Sequence, residues 1–351
     1  MRAGAVHVLV PSALRPVLEP ALRGAPRVAR AIVWIDATAV APKTAVLVPV
    51  AAVLGPAAIA ALFAARPPAV HAEAAQTATP LVAAPASLIA ALWPALTSGQ
   101  PLDPVLEQAL RDLGRLAVVA DGSLVHPVTD ASAAAVGERR LYATLGSAID
   151  TRLDTLFHRR FSRIVSRFAV RLGIVPNVIT VASLLCGLAA AWLFWGATPL
   201  GAVGGLVVYA LAVILDHADG EVARLTLTES AVGEWLDIVA DTAVHAGVVL
   251  ALSATSAELT GSGTALGVLA AIGMIASAAV AKAWPGLAMP DRIGAFFSRL
   301  GSRDGFYAML IAFVIARAAW PEALPGLMIV VAAGSHAYWV GRALYRLTRG
   351  A

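Results

Sequence analysis

Ile214-Leu215-Asp216-His217-Ala218-Asp219-Gly220-Glu221-Val222-Ala223-Arg224, followed after a short turn by Gly233-Glu234-Trp235-Leu236-Asp237-Ile238-Val239-Ala240-Asp241, places four aspartates within 26 residues where two apolar stretches meet. A carboxylate inside a membrane helix costs at least ~2.5–3.5 kcal/mol by insertion scales, so it marks a functional site by default. Asp216 and Asp219 are spaced i,i+3, and Asp237 and Asp241 are spaced i,i+4, so each pair shares one helix face. The connecting turn is short, which allows the two pairs to converge.

Outward from this stretch, the chain reads as membrane protein. Six apolar stretches lie at about 178–197, 200–218, 232–254, 263–283, 305–320 and 324–345. Each is close to the ~20 residues that cross ~30 Å of hydrocarbon. Only 14% of the 351 residues are charged, against about 25% in soluble domains, which excludes an ordinary soluble protein. Segments 197–200 and 256–263 are nearly uncharged apart from Glu258, whereas 217–229, 282–304 and 342–349 carry most of the arginines found beyond residue 176. The positive-inside rule puts the basic segments on the cytoplasmic side. The expectation is a multi-pass protein of the inner cell membrane, with N-terminal domain, aspartates and C-terminus cytoplasmic. Trp192, Trp195 and Trp320 sit near stretch ends and suit the interfacial belt. Cys186, the only cysteine, lies in an apolar run and supports neither a disulfide nor a cysteine metal site. The first residues carry too short an apolar run, broken by Pro11, for a signal peptide.

Residues 1–145 read as a cytosolic α/β domain. Apolar, β-branched runs of strand length at 6–10, 31–35, 45–50 and 116–120 alternate with helical stretches such as 104–113. Residues 44–65 are 22 without a charge, long enough to span a membrane, but Pro49 and Pro56 interrupt them, so a strand followed by a buried helix is expected. Asp121-Gly122, with Asp130 beyond, reads as a turn rather than a metal site. Residues 146–175 form a linker and a basic amphipathic helix. Arg152, Arg159, Arg160, Arg163, Arg167 and Arg171 alternate there with Leu153, Leu156, Phe157, Phe161, Ile164, Val165 and Phe168. Such a helix lies on an anionic membrane surface. Residues 176–351 are the six-helix membrane domain.

Four carboxylates in one site cannot all ionise without compensation. Divalent cations supply it, and an all-oxygen donor set selects Mg²⁺, Mn²⁺ or Ca²⁺. Two such ions ~3.5–4 Å apart form the usual clamp for phosphoryl chemistry. Gly220 permits close backbone approach, Arg224 can fork onto phosphate oxygens, and Ala223 and Gly233 leave room. Lys282, Arg303 and Arg342, near cytoplasmic helix ends, suit either an acceptor-phosphate pocket or snorkelling anchors. His245, one turn beyond Asp241, reads as a packing histidine. His217 is expected to face solvent.

The spacing Asp216-x2-Asp219-Gly220-x2-Ala223-Arg224-x8-Gly233-x3-Asp237-x3-Asp241 resembles the signature of the CDP-alcohol phosphotransferase family at all eight defining positions. The resemblance covers about 176–345 and includes the Pro176-Asn177 entry to the first helix. It implies a membrane transferase that moves a phospho-alcohol from a CDP-alcohol, either CDP-diacylglycerol or a CDP-polyol, to an acceptor hydroxyl and releases CMP. By resemblance, Asp216, Asp219, Asp237 and Asp241 would bind two Mg²⁺ or Mn²⁺ ions, and Asp241 would also act as general base. Asn177, Thr180, Gly220, Ala223, Arg224, Ser230 and Gly233 would bind the CDP moiety. A phosphorylated polyol such as inositol phosphate or glycerol phosphate is the implied acceptor, membrane lipids and a second copy of the chain are the implied partners, and no nucleic acid is expected. The domain order resembles fused cytidylyltransferase-like/di-myo-inositol-phosphate phosphate synthases. The first strand is, however, followed by Pro11-Ser12-Ala13-Leu14-Arg15-Pro16, without the glycines of a triphosphate loop. A degenerate, nucleotidyltransferase-like (Rossmann-type) domain is therefore expected. The alternative is an ion-coupled transporter, which predicts carboxylates at mid-membrane and inverted repeats; the sequence has neither.

Overall fold

Short β-branched runs and amphipathic helices alternate ahead of residue 146, and long apolar helices follow it. The chain accordingly divides into two units, Met1–Gly146 and Ser147–Ala351. The computed structural model describes residues 8–22, 32–36, 38–43, 45–48, 52–55, 58, 61–62, 64–65, 67–71, 81–98, 100, 103–114, 117–119, 123–146, 150–196, 198–284 and 302–349.

In the first unit, strands β1 (Val8–Pro11) and β2 (Ile32–Ile35) pair in parallel. Strands β3 (Ala45–Leu47), β5 (Ala69–His71), β6 (Val82–Ala84) and β7 (Ala117–Val119) form a sheet of order β3-β6-β5-β7. Strand β4 (Ala52–Leu54) pairs antiparallel with β8 (Val125–Pro127). Strand β6 is buried on both faces. Val82 and Ala84 pack with Leu88, Ile89 and Leu92 of helix α2 (Ala86–Ser98) and Leu106 of α3 (Asp103–Leu113). Ala83 packs with Ala58, Leu62 and Val125 on the other side. Helix α1 is Arg15–Leu22, and α4 (Ala131–Ala143) starts where Asp130 accepts a hydrogen bond from the Ala133 amide at 2.8 Å.

Strands and helices alternate among the described residues of this unit, and its four-stranded sheet is mixed: β7 runs parallel to β5, whereas β6 runs antiparallel to both β3 and β5. Residues 45–47 and 52–54 are strands, so the uncharged stretch there is not a membrane helix. Residues 121–122 lie outside the described residues.

In the second unit a π-helical turn, Asp154–His158, leads into α5 (Arg159–Leu172), which ends at Gly173 in the left-handed conformation. Helix α6 (Pro176–Trp195) starts with Pro176 at its first position, where the missing amide costs nothing. Helix α7 (Pro199–Leu225) is capped by Thr198, and α8 (Ala231–Thr260) by Ser230, whose hydroxyl accepts from the Gly233 amide at 3.0 Å. Helices α9 (Thr264–Ala283), α10 (Arg303–Ala319) and α11 (Leu324–Arg349) follow among the described residues.

Among the described residues, five helical segments are long and apolar enough to cross a membrane: 176–195, 199–225, 231–260, 264–283 and 321–347. The expected sixth, α10, falls short at 17 residues and begins and ends with charge at Arg303, Asp304 and Arg317. The chain is thus a multi-pass membrane protein. Between helices in lipid there is little hydrophobic driving force, and close packing of small residues substitutes for it. A Cβ on Gly187 of α6 would overlap Val244 of α8, and one on Gly267 of α9 would overlap Ser253 of α8. Phe194, Tyr209, Val248, Leu252, Leu310, Phe313 and Met328 fill the core these contacts enclose.

Helix α5 shows the reverse of a soluble amphipathic helix. Its apolar residues Phe161, Ile164, Phe168 and Leu172 face outward, while Arg159, Ser162, Ser166 and Ala169 are buried. The buried stripe docks on α7 through Glu221, which is fully buried. Glu221 accepts hydrogen bonds from Arg159 Nη1 (2.9 Å), Ser162 Oγ (2.8 Å) and Ser166 Oγ (2.6 Å). Arg159 also forks onto Asp150 at 2.8 and 2.9 Å. Burial alone would lower the Arg159 guanidinium, but the bonds to Asp150 and Glu221 raise it above its ordinary value. Arg159→Ala would leave Glu221 as a buried charge without its cation, and losing one partner of such a pair costs roughly 3–5 kcal/mol. We expect a clear fall in the thermal unfolding midpoint of the detergent-purified variant; an unchanged midpoint would show that this pair does not hold α5 to α7.

Candidate active site

The facing ends of α7 and α8 carry the four aspartates. Carboxylate oxygens of Asp216, Asp219 and Asp237 lie within 4.8 Å of one another. Asp216 and Asp219 come from the last turns of α7 and Asp237 from the second turn of α8. The connection is tight. The Thr228 amide bonds to the Ala223 carbonyl at 3.0 Å, and Leu227 takes a positive φ of 54°, a conformation that strains a residue with a branched side chain. Asp241 lies one turn beyond Asp237, where it shares a small cavity with Asp216, Tyr209 and Ser183. Its Oδ1 lies 3.2 Å from His245 Nδ1, and His245 Nε2 lies 3.1 Å from the Tyr209 hydroxyl. The packing role expected for His245 is thus joined to a polar one, with Phe306 edge-on at 4.4 Å between ring centroids.

The other positions singled out in the sequence fall around this centre. Thr180 of α6 donates to Asp219 Oδ2 at 2.6 Å. Gly233 sits between Ser230 and Asn177; a Cβ there would come 3.3 Å from Asn177 Oδ1. A Cβ on Gly220 would lie 3.2 Å from Arg224 Nη1. Ala223, one residue before Arg224, is partly buried. Ser230 already has a structural task as the cap of α8.

The three basic residues do not form one pocket of free cations. Lys282 pairs with Glu234 and lies over the Trp235 ring. Arg342 donates to the Tyr338 hydroxyl and the Trp284 carbonyl, both at 2.9 Å. Arg303 reaches into the carboxylate centre and pairs with Asp216 Oδ2.

His217 corrects an expectation. It does not face solvent: it is 4% exposed, because α10 and the segment before α5 cover its side of α7. Its Nε2 lies 3.0 Å from Asp154 Oδ1, and Arg303 Nη1 lies 2.9 Å from its Nδ1. His158 Nδ1 approaches the same Asp154 oxygen at 3.0 Å, and its Nε2 lies 2.9 Å from the Tyr307 hydroxyl. Thr151 donates to Asp154 Oδ2 from its amide and hydroxyl, both at 2.9 Å. Burial pushes the Asp154 carboxyl up, but the bonds from His158, His217 and Thr151 and the charge of Arg303 outweigh it and hold it well below the usual carboxylate range. Asp154, His158 and His217 also group closely enough to hold a cation. Every ring nitrogen there has a protein partner, however, so the cluster is complete as a hydrogen-bond network. Sequence reasoning missed it. The one signal was the Asp154/His158 pair at i,i+4, lost among the arginines.

The donor chemistry at the carboxylate centre fits hard divalent cations. It has only oxygen ligands, more negative charge than Arg303 alone neutralises, and short side chains on rigid helices.

Residues 173–339 match the CDP-alcohol phosphatidyltransferase family model. Among relatives, archaetidylinositol phosphate synthase of Aeropyrum pernix is 34% identical over 106 residues, which cover 28% of this chain and 52% of that protein. The CDP-diacylglycerol–serine O-phosphatidyltransferase of Mycobacterium leprae is 42% identical over 91 residues, 26% of this chain and 29% of that protein. The chain thus spans about half the length of the first relative and less of the second. A crystal structure of Mycobacterium tuberculosis phosphatidylinositol phosphate synthase in apo form is similar at 21% identity and TM-score 0.42, covering 52% of this chain and 95% of that one. The aspartate-bearing helices lie wholly within the matched stretch, and by that match residues 173–339 of this chain are a CDP-alcohol phosphatidyltransferase domain.

Proposed function

We propose that this protein is an integral membrane transferase that moves a phospho-alcohol from a CDP-alcohol to an acceptor hydroxyl and releases CMP. The observation that carries the reading is the convergence of Asp216, Asp219 and Asp237 within 4.8 Å at one end of two apolar helices, with Asp241 across the same cavity as Asp216. Asp216, Asp219, Asp237 and Asp241 would hold two divalent ions, Mg²⁺ or Mn²⁺. Bound there, such ions supply charge neutralisation for a diphosphate and its developing transition state.

The remaining work falls to side chains of this chain. Asp241 accepts the proton of the acceptor hydroxyl. The freed oxygen forms a bond to the phosphorus that carries the donor alcohol, and the bond from that phosphorus to the CMP oxygen breaks. Gly220 and Arg224, with Ala223, Gly233, Ser230, Asn177 and Thr180, bind the CDP moiety. Thr180 also fixes one oxygen of Asp219. Lys282 and Arg342 are read as cations for an acceptor phosphate. The Lys282–Glu234 pair is partly exposed, and such pairs are weak enough to exchange for phosphate. Arg303 would act there only from its place beside Asp216. One relative's name prints CDP-diacylglycerol with serine and the other's prints archaetidylinositol phosphate; from these we take CDP-diacylglycerol as donor and an inositol phosphate as acceptor.

In this reading α10 is a sixth crossing, with Tyr307, Leu310 and Phe313 buried in the bundle core. Both ends of the domain, the first unit and the aspartates are then cytoplasmic, consistent with the arginines of 282–304 and 342–349. Residues 146–175 are the juxtamembrane element, and residues 1–145 are a cytosolic α/β domain without nucleotide turnover of its own. We further propose a homodimer.

Three results test this proposal. Purified protein in detergent with Mg²⁺ is expected to release CMP only when a CDP-alcohol and its acceptor are both present. CDP-diacylglycerol with inositol phosphate is the first pair to assay; CMP release indifferent to acceptor would point to hydrolysis instead. EDTA should stop the reaction and Mg²⁺ or Mn²⁺ restore it, and activity that survives thorough chelation would rule out the metal assignment. Asp241→Asn should lower kcat by at least about 10²-fold with the unfolding midpoint retained, whereas substantial turnover would remove Asp241 from the role of base.

A further inference from the structure

The buried cluster around Asp154 is not used by the proposed reaction, yet it ends on one of its ligands. Asp154 belongs to the π-helical turn before α5, His217 to α7, and Arg303 and Tyr307 to the start of α10. We infer that Asp154 is a positioning residue: through His217 and Arg303 it holds a guanidinium on one oxygen of Asp216 and leaves the other free for a divalent ion. This inference rests on the reading of Asp216 as a metal ligand.

The geometry supports the assignment step by step. Asp154 Oδ1 lies 3.0 Å from His217 Nε2 and 3.8 Å from Arg303 Nη1. His217 Nδ1 meets the same Nη1 at 2.9 Å. Arg303 is therefore shared between two carboxylates, and its Nη1 is occupied on the Asp154 side. Only Nη2 bonds to Asp216, at Oδ2. An arginine free of other ties grips a carboxylate with two parallel hydrogen bonds. In that bidentate grip both oxygens of Asp216 would be taken and its charge more fully cancelled. The share held by Asp154 prevents this. His158, tied to Tyr307, and Thr151 fix Asp154 in turn. The cluster buries these groups at one boundary among three segments, so the segment before α5 is part of the frame of the site as well as a membrane anchor.

Without the Asp154 charge, Arg303 should turn its full charge on Asp216 and compete with the ion. Partners that orient metal ligands typically contribute 10–100-fold in metal affinity. The probe is Mn²⁺ itself, titrated by electron paramagnetic resonance into the full-length protein in detergent without nucleotide. Asp154→Asn, which keeps the side-chain shape, is expected to weaken Mn²⁺ binding by about 10–100-fold. The double variant Asp154→Asn/Arg303→Gln should recover most of that affinity, which a merely structural loss would not do. In the CMP-release assay the single variant should need more Mg²⁺ for half-maximal rate and approach the wild-type kcat at saturating Mg²⁺. Should Asp154→Asn not fold, His217→Phe, which cuts the same link, is titrated with and without Arg303→Gln under the same expectation.

Wild-type Mn²⁺ affinity in the single variant, or no recovery in the double variant, would overturn the inference. Failure of the wild-type protein to release CMP would count against the proposed reaction alone, because the Mn²⁺ titration needs no turnover.

Discussion

Several negative charges gathered at the end of apolar helices form the constraint on which the membrane unit depends. Asp216, Asp219 and Asp237 repel one another across less than 5 Å, in surroundings where water screens them poorly. The fold answers with a cation on Asp216, a hydroxyl on Asp219, and a donor set that fits divalent ions. Each answer needs a different helix: α10 supplies Arg303, α6 supplies Thr180, and α8 brings Asp237 to the pair on α7. The bundle arrangement is therefore tied to the electrostatics of one site.

The same constraint explains why the segment before the bundle is built inside out. A helix that rests on lipid has no need to hide its apolar face. Phe161, Ile164 and Phe168 are exposed in the isolated chain and suit a hydrocarbon boundary. Its other face carries small hydroxyls and one arginine, which suit a buried carboxylate on the neighbouring helix. Glu221 follows Gly220 directly, and His217 follows Asp216. The motif helix α7 thus presents its aspartate pair to the site and a second set of polar groups to the juxtamembrane segment and α10. Fully hydrogen-bonded polar contacts of this kind fix geometry more narrowly than apolar contacts.

Close helix approach completes the frame. Gly187 lets α6 meet α8 at Val244, one turn beyond Asp241, and Gly267 lets α9 meet α8 at Ser253. Helix α8, which carries half the aspartates, is held from two sides by contacts that tolerate no added methyl without movement.

The membrane unit was legible in the sequence because its signals are local. Chain in lipid must satisfy its own backbone hydrogen bonds, so apolar runs of the right length are helices. Spacings of three and four residues put aspartates on one face whatever surrounds them. Pro176 announces a helix start for an equally local reason. What the sequence could not decide is which neighbour covers the other faces. His217 projects between its flanking aspartates, and whether it meets water or protein depends on α10 and on Asp154, 63 positions earlier. Arg303 likewise reads as a cytoplasmic cation until α10 is packed against α7. In the first unit, β1, β2, β3 and β7 were visible as apolar runs, but β4, β5, β6 and β8 and the strand order were not, because pairing β6 between β3 and β5 is a choice among distant partners. Composition and spacing thus determined the class of protein and the acidic centre; only tertiary packing decided how that centre is held, because burial and ion pairing arise between segments far apart in the chain.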